Sequence, residues 1–166
     1  VSRDQPGNTA IDDNNGNLYT FRTLKPLPVP WRDTLESGAT VWSVQDEEGS
    51  DASWRLGRPN NELDDQAHSP TNAWGTNLDG ETFGAVSTAL ISPALDLTGG
   101  NYATLRFWHN HDFRGLFVGF WTESGRLLLF TNTQTVPIIL EEFVDSSLGW
   151  EQKEYQLSPY IRRVAD

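Results

Sequence analysis

Trp54-Arg55-Leu56-Gly57-Arg58-Pro59 is followed by Asn72-Ala73-Trp74-Gly75-Thr76-Asn77-Leu78-Asp79-Gly80, then Ser87-Thr88-Ala89-Leu90-Ile91-Ser92-Pro93-Ala94-Leu95-Asp96-Leu97, then Leu105-Arg106-Phe107-Trp108. Aromatic anchors alternate with Gly and Asn turns, and one apolar run is closed by Ser92-Pro93. Aromatic and β-branched residues suit a pleated, half-buried surface, and Gly, Asn and Pro break it into short lengths. A β-sandwich reads this way, strand by strand.

Working outward, strand-like segments recur at 40–44, 53–56, 85–91, 102–110, 116–122, 126–131, 137–143 and 150–157. No segment of helical period competes with them. The one helical turn expected is at 158–163, with Ser158 as its cap and Pro159 at the first helical position. In 105–108 Leu105 and Phe107 alternate with Arg106 and Trp108, so one face turns to the core. The segment 116–121 is apolar on both faces and should lie centrally, with one face under a loop or a partner. Glu123-Ser124-Gly125 is expected to turn it into the next strand as a hairpin, Gly125 supplying a positive φ.

Residues 1–30 read differently. Residues 1–17 are polar, rich in Gly, Asn and Asp, and form an arm; 17–24 alternates as a short strand; and Lys25-Pro26-Leu27-Pro28-Val29-Pro30 is a stiff spacer or sheet-edge crossing. The remainder, 31–166, is expected to be one domain: 166 residues with 37% hydrophobic side chains, seven Trp and eight Phe are enough for one core. There is no Cys, so disulfides are excluded, and no Met, which points to a processed or excerpted chain. A net charge of −11 argues against phosphate backbones and anionic lipid, because like charges repel. No nucleic-acid partner is expected. Membrane insertion is not expected either, since no apolar run approaches the roughly 20 residues of a spanning helix. The acidic, cysteine-free composition points to a secreted or cell-surface domain.

Leu35-Glu36-Ser37-Gly38 with Trp42, Trp54-Arg55-Leu56-Gly57-Arg58-Pro59, Asn72-Ala73-Trp74-Gly75-Thr76, Leu90-Ile91-Ser92-Pro93-Ala94-Leu95-Asp96-Leu97, Leu105-Arg106-Phe107-Trp108-His109 and Trp150 with Leu157-Ser158-Pro159-Tyr160 follow in an order that resembles the MAM-like jelly-roll domains of bacterial secreted proteins. Such domains are appended to immune-inhibitor-A-type metallopeptidases and to cell-surface anchor proteins. The resemblance spans about residues 31–166 and implies an antiparallel, galactose-binding-like jelly roll with structural calcium. Carried over position by position, it makes Glu36, Asp51 and Asp79 the calcium carboxylates. Asp33-Thr34-Leu35-Glu36 departs from the usual aromatic between two acids, and the pattern normally runs past Tyr160 into further strands. A jelly roll without those strands would leave an unpaired edge, so the remaining polypeptide or a neighbouring subunit is expected to fill it.

Other signals are read against simpler alternatives. Hard carboxylate oxygens at Glu36, Asp51 and Asp79 suit calcium, and equally suit solvated turns. Asp12-Asp13-Asn14-Asn15-Gly16-Asn17 has its Gly out of phase for an EF-hand and reads as a polar turn, and Glu62, Asp64 and Asp65 form another acidic loop. His109 and His111 share a strand face and would need a third ligand such as Asp112 to hold zinc or copper; the plainer reading is polar residues on an exposed strand end. His68 reads as loop. Adjacent glutamates on a strand, as at Glu141-Glu142, face opposite ways and do not make a glycosidase pair. No nucleophile elbow occurs, and catalysis is not expected. Trp42, Trp54, Trp74 and Trp108 are assigned to core or loop packing. Trp31, Trp121 and Trp150, with Phe120, are the candidates for an exposed partner-binding patch. The expectation is a secreted, non-catalytic recognition or assembly domain for protein partners. The alternatives are a carbohydrate-binding module and an accessory domain of a secreted metallopeptidase.

Overall fold

The computed structural model describes residues 2–3, 9–10, 25–38, 41–50, 52–60, 66–80, 87–113, 124–132 and 134–161. Within them the chain is strands and loops, with one 3-10 turn at Ser158–Tyr160. The strands pair two by two: β1 (Ser2–Arg3) with β2 (Thr9–Ala10), β3 (Leu27–Pro28) with β8 (Leu95–Asp96), β4 (Ser43–Asp46) with β7 (Thr88–Ile91), β5 (Arg55–Gly57) with β6 (Ala73–Gly75), β9 (Thr104–His109) with β12 (Glu151–Gln156), and β10 (Gly125–Leu129) with β11 (Ile138–Phe143). All pairs are antiparallel except β3–β8. The chain is thus all-β in character.

The proline-rich segment is a sheet-edge crossing. Leu27 donates its N–H to the Ala94 carbonyl at 2.8 Å, and Pro28, which has no N–H to give, sits beside Asp96 at the end of this short parallel pair. In β9 the alternation is clean, with Leu105, Phe107 and His109 half-buried and Thr104, Arg106 and Trp108 exposed. Trp108 therefore faces outward, so of the core and loop packing expected for it only the loop contact remains: a period of two puts it on the opposite face from Phe107.

Two local expectations change. Gly125 does not turn a hairpin through a positive φ; it is the first residue of β10, and a Cβ there would meet the Phe113 ring at 3.0 and 3.3 Å. Its value is close approach, not backbone freedom. Ser158 does not cap the turn that follows: Leu157 occupies the cap position, and Ser158 Oγ accepts the Ala103 N–H at 3.3 Å. That bond and Leu157 N–H to Ala103 O at 2.8 Å carry the β9–β12 pairing one step further.

A bulge interrupts β10–β11. Leu127 faces Glu141 and Leu128 faces Ile139, so Leu140 is the extra residue. The alternation of β11 shifts there, and Leu140 and Glu141 are both half-buried in succession. Glu141 thereby joins Phe143 on the inner side while Glu142 points out.

The most tightly packed region is small. Pro59, Ala73, Leu78 and Leu157 are the buried residues among those described. Leu78 is a plug between β5 and β6: a Cβ on Gly57 would lie 3.1 Å from its Cδ1, and one on Gly75 would lie 2.6 Å from its Cδ2 and 3.3 Å from its Cγ. Two glycines thus open the socket that a leucine fills. Asn60 N–H to the Leu78 carbonyl at 2.6 Å ties the returning chain to it.

Candidate functional site

The expected metal carboxylates have other partners. Glu36 Oε1 accepts the N–H groups of Thr71 (3.2 Å) and Asn72 (3.0 Å), and its Oε2 accepts Asn72 Nδ2 at 3.1 Å. Asp33 completes this corner, accepting the Leu35 N–H and the Trp42 indole N–H, each at 2.8 Å. Leu35 sits in the left-handed region at φ 65° and is held there by those bonds and by Asn72 Nδ2 on its carbonyl. Glu36 as placed thus accepts three N–H groups. Asp79 pairs with Arg55 at 2.8 Å. Among the described residues no three His, Asp or Glu side chains gather as metal ligands. Asp51, the third acid, lies outside the described residues.

Of the four residues expected to bind a partner, Phe120 and Trp121 lie outside the described residues. So do the strand 116–122 that carries them and the strand 17–24. Trp31 is half-buried at the end of an indole row, 5.9 Å from Trp42, which lies 6.3 Å from Trp74. Trp150 is half-buried and donates its indole N–H to the Gln66 carbonyl at 3.1 Å.

His109 and His111 meet, though not on an exposed strand end. Both are half-buried, and their Nδ1 atoms are 3.2 Å apart. The ring centres are 5.1 Å apart with planes 12° from parallel. The two Nδ1 atoms are within hydrogen-bond distance, and the tautomers decide which ring donates. Asp112, the suggested third ligand, forms an isolated backbone bridge with Ser146. His111 Nε2 is 3.2 Å from the Val144 carbonyl, whereas His109 Nε2 is buried without a hydrogen bond and has Glu151 no nearer than 3.9 Å. Burial first, then the charges of His111 and Lys153, hold His109 below its ordinary 6.5.

Beside this pair lies a polar seam that sequence reasoning missed. Lys153 Nζ reaches Glu141 at 3.1 Å, and the Tyr155 hydroxyl donates to the other Glu141 oxygen. Lys153 also stands 5.8 Å over the Phe143 ring. The Tyr155 bond, reinforced by Lys153, lowers the Glu141 pKa, while burial and Glu141 raise that of Tyr155. On the outer side Glu142 pairs with Arg126 at 3.1 Å, so the two glutamates do face opposite ways. The seam joins β12 to β11, and its charges are spent on one another.

Two outward surfaces remain. On β10–β11, Leu128 (39% exposed) pairs with Ile139 (59%), Phe130 (69%) extends the row and Val136 (72%) lies at the loop end. On β9–β12 the outer face is Thr104 opposite Gln156, Arg106 opposite Glu154, and Trp108 opposite Gln152. His68 lies parallel to the Trp108 ring, with centres 3.7 Å apart. The period of two would have indicated both faces; which of them water reaches is a tertiary fact. No helix among the described residues is long and apolar enough to cross a membrane. Comparison with known proteins finds no matching family model, no matching curated protein and no matching solved structure. The likeness to MAM-like domains therefore rests on the quoted residues alone.

Proposed function

We propose that the chain is a non-catalytic recognition and assembly module of a secreted or cell-surface protein, an antiparallel jelly-roll sandwich that acts by binding protein partners. One observation carries the reading: Leu128, Phe130, Val136 and Ile139 expose large apolar side chains together at one end of β10–β11. Scattered apolar residues on a surface are ordinary, but a cluster on one sheet face is what a protein interface buries. Charge supports the same direction. A net charge of −11 repels nucleic acid and anionic membranes and leaves apolar contact as the attractive force.

Size-exclusion chromatography with light scattering on the chain at micromolar concentration tests this, with and without extracellular extract from the source cells. Self-association or capture that is lost in Phe130→Asp and Ile139→Lys supports the reading. A monomer that captures nothing, or a complex indifferent to both substitutions, removes it. Calcium as a structural clip rests on the resemblance and on the acidic balance, and melting in EDTA against added calcium is its own test.

A further inference from the structure

The geometry points to a second binding site, for a neutral pyranose-based glycan, on the outer face of β9–β12, centred on Trp108 and Gln152. It stands on a different face from the association surface and does not depend on it. Among the described tryptophans, Trp108 is the one that stands exposed, at 42%. It lies one residue before the end of β9 on an otherwise polar face, where an indole left to water loses the favourable burial its area offers.

Its surroundings hold it ready. His68 lies on one face of the indole, 3.7 Å between ring centres and 13° from parallel, and no other ring touches Trp108 among the described residues. The loop bearing His68 is anchored in turn by the Trp150 indole N–H on the Gln66 carbonyl. Directly opposite Trp108 in the ladder is Gln152, exposed, with its side-chain amide unbonded among the described residues. Opposed residues in an antiparallel pair stand about 5 Å apart at Cβ. One ligand can therefore touch both.

Those two groups match the chemistry of a sugar ring. A pyranose has an apolar face of C–H groups, which an indole takes by stacking, and an edge of hydroxyls that both donate and accept. An unbonded primary amide offers both a donor and an acceptor in one plane. The row continues into the Arg106–Glu154 pair (2.6 Å), the Glu154–Gln156 bond (3.3 Å) and the Thr104–Gln156 bond (3.4 Å), further hydroxyl partners along the strand. The net charge of −11 disfavours uronic or sulfated polymers and selects neutral ones. A side chain fixed on a strand and stacked by His68 loses little freedom on binding.

Affinity electrophoresis of the full chain through gels cast with soluble β-glucan, mannan, galactan or xylan tests the site, using wild type, Trp108→Ala, Gln152→Ala and Phe130→Asp. The expected result is retardation of wild type by at least one polymer. Affinity should fall about tenfold or more in Trp108→Ala and severalfold in Gln152→Ala. Phe130→Asp should be retarded like wild type, which separates this site from the association surface. Circular dichroism confirms folding; should Trp108→Ala misfold, the exposed-site variant Gln152→Ala and quenching of indole fluorescence by oligosaccharides of the retarding polymer decide. Free passage of wild type through all four gels overturns the inference, as does retardation unchanged in folded Trp108→Ala or Gln152→Ala.

Discussion

The Leu78 socket supports a prediction whose sign reverses with context. Gly75→Ala puts a methyl group 2.6 Å from Leu78 Cδ2 and 3.3 Å from its Cγ, and Leu78 is a buried side chain with little room to give way. Gly75 has an ordinary φ, so strain comes from the collision and not the backbone. Overpacking of this kind costs about 1–3 kcal/mol. Leu78→Ala removes the plug itself, and with two glycine backbones as walls the site collapses poorly, so the loss should be about 2–4 kcal/mol. In the double variant the methyl group introduced at position 75 enters space the leucine has left. There the clash is absent and the lost chain freedom of glycine contributes about 0.4–1 kcal/mol of stability. The double variant should accordingly be more stable than Leu78→Ala alone, and the cycle should show coupling of about 2 kcal/mol. Urea unfolding of the four proteins, read by tryptophan fluorescence with a common m-value, measures it. Additivity within about 0.5 kcal/mol would refute the socket, because atoms that collide cannot act independently.

Three further outcomes follow from the seam and the Glu36 corner. Glu141→Gln and Tyr155→Phe should each destabilise by about 1 kcal/mol, discounted for partial exposure, and a cycle between them should retain most of that as coupling; near-zero coupling rejects the bond. Glu36→Ala, which strips two backbone N–H groups of their acceptor, should lower stability by about 1 kcal/mol, and an unchanged urea midpoint would reject those bonds. Acid should weaken the fold in two steps. The unfolded chain protonates His109 more readily than the folded one, so its contribution is complete above 6.5 and falls away as pH drops below that value. Glu141, held low, contributes above 4.5 and loses its share as pH falls through its lowered folded value. Urea midpoints across pH should show both steps, with His109→Gln flattening only the upper one, and a midpoint that rises on mild acidification contradicts the assignment.

Strand positions are largely legible in the sequence, and strand partners are not. Expected strands at 102–110, 137–143 and 150–157 match Thr104–His109, Ile138–Phe143 and Glu151–Gln156, because alternation or a β-rich apolar run is a local property. Ala73–Gly75 reads as a motif and not as a strand; three residues are too few to show a period. The Glu36 corner joins residues 36 apart in sequence, and no local pattern reports such a closure. Gly125 reads as a turn residue for the good reason that glycine usually is one, yet what demands it is the ring of Phe113. For Trp108 the alternation itself gives the outward face, while the His68 ring that packs on it comes from a loop 40 residues away in sequence.

The bulge at Leu140 is the step that connects the seam to the surfaces. Without the extra residue, the alternation of β11 would carry Glu141 outward with Ile139, and Lys153 and Tyr155 on β12 would face an apolar strand with no acceptor. With it, a carboxylate enters the space between the two ladders and both donors are satisfied there. A contact made by charge and hydrogen bond is directional, so it fixes how β9–β12 meets β10–β11 in a way that sliding apolar faces do not. The same choice limits how much apolar area the contact removes from water, and Leu128, Phe130 and Ile139 stay outside. The inner seam specifies the arrangement, and the apolar area left on the outer face is what a partner protein would bury.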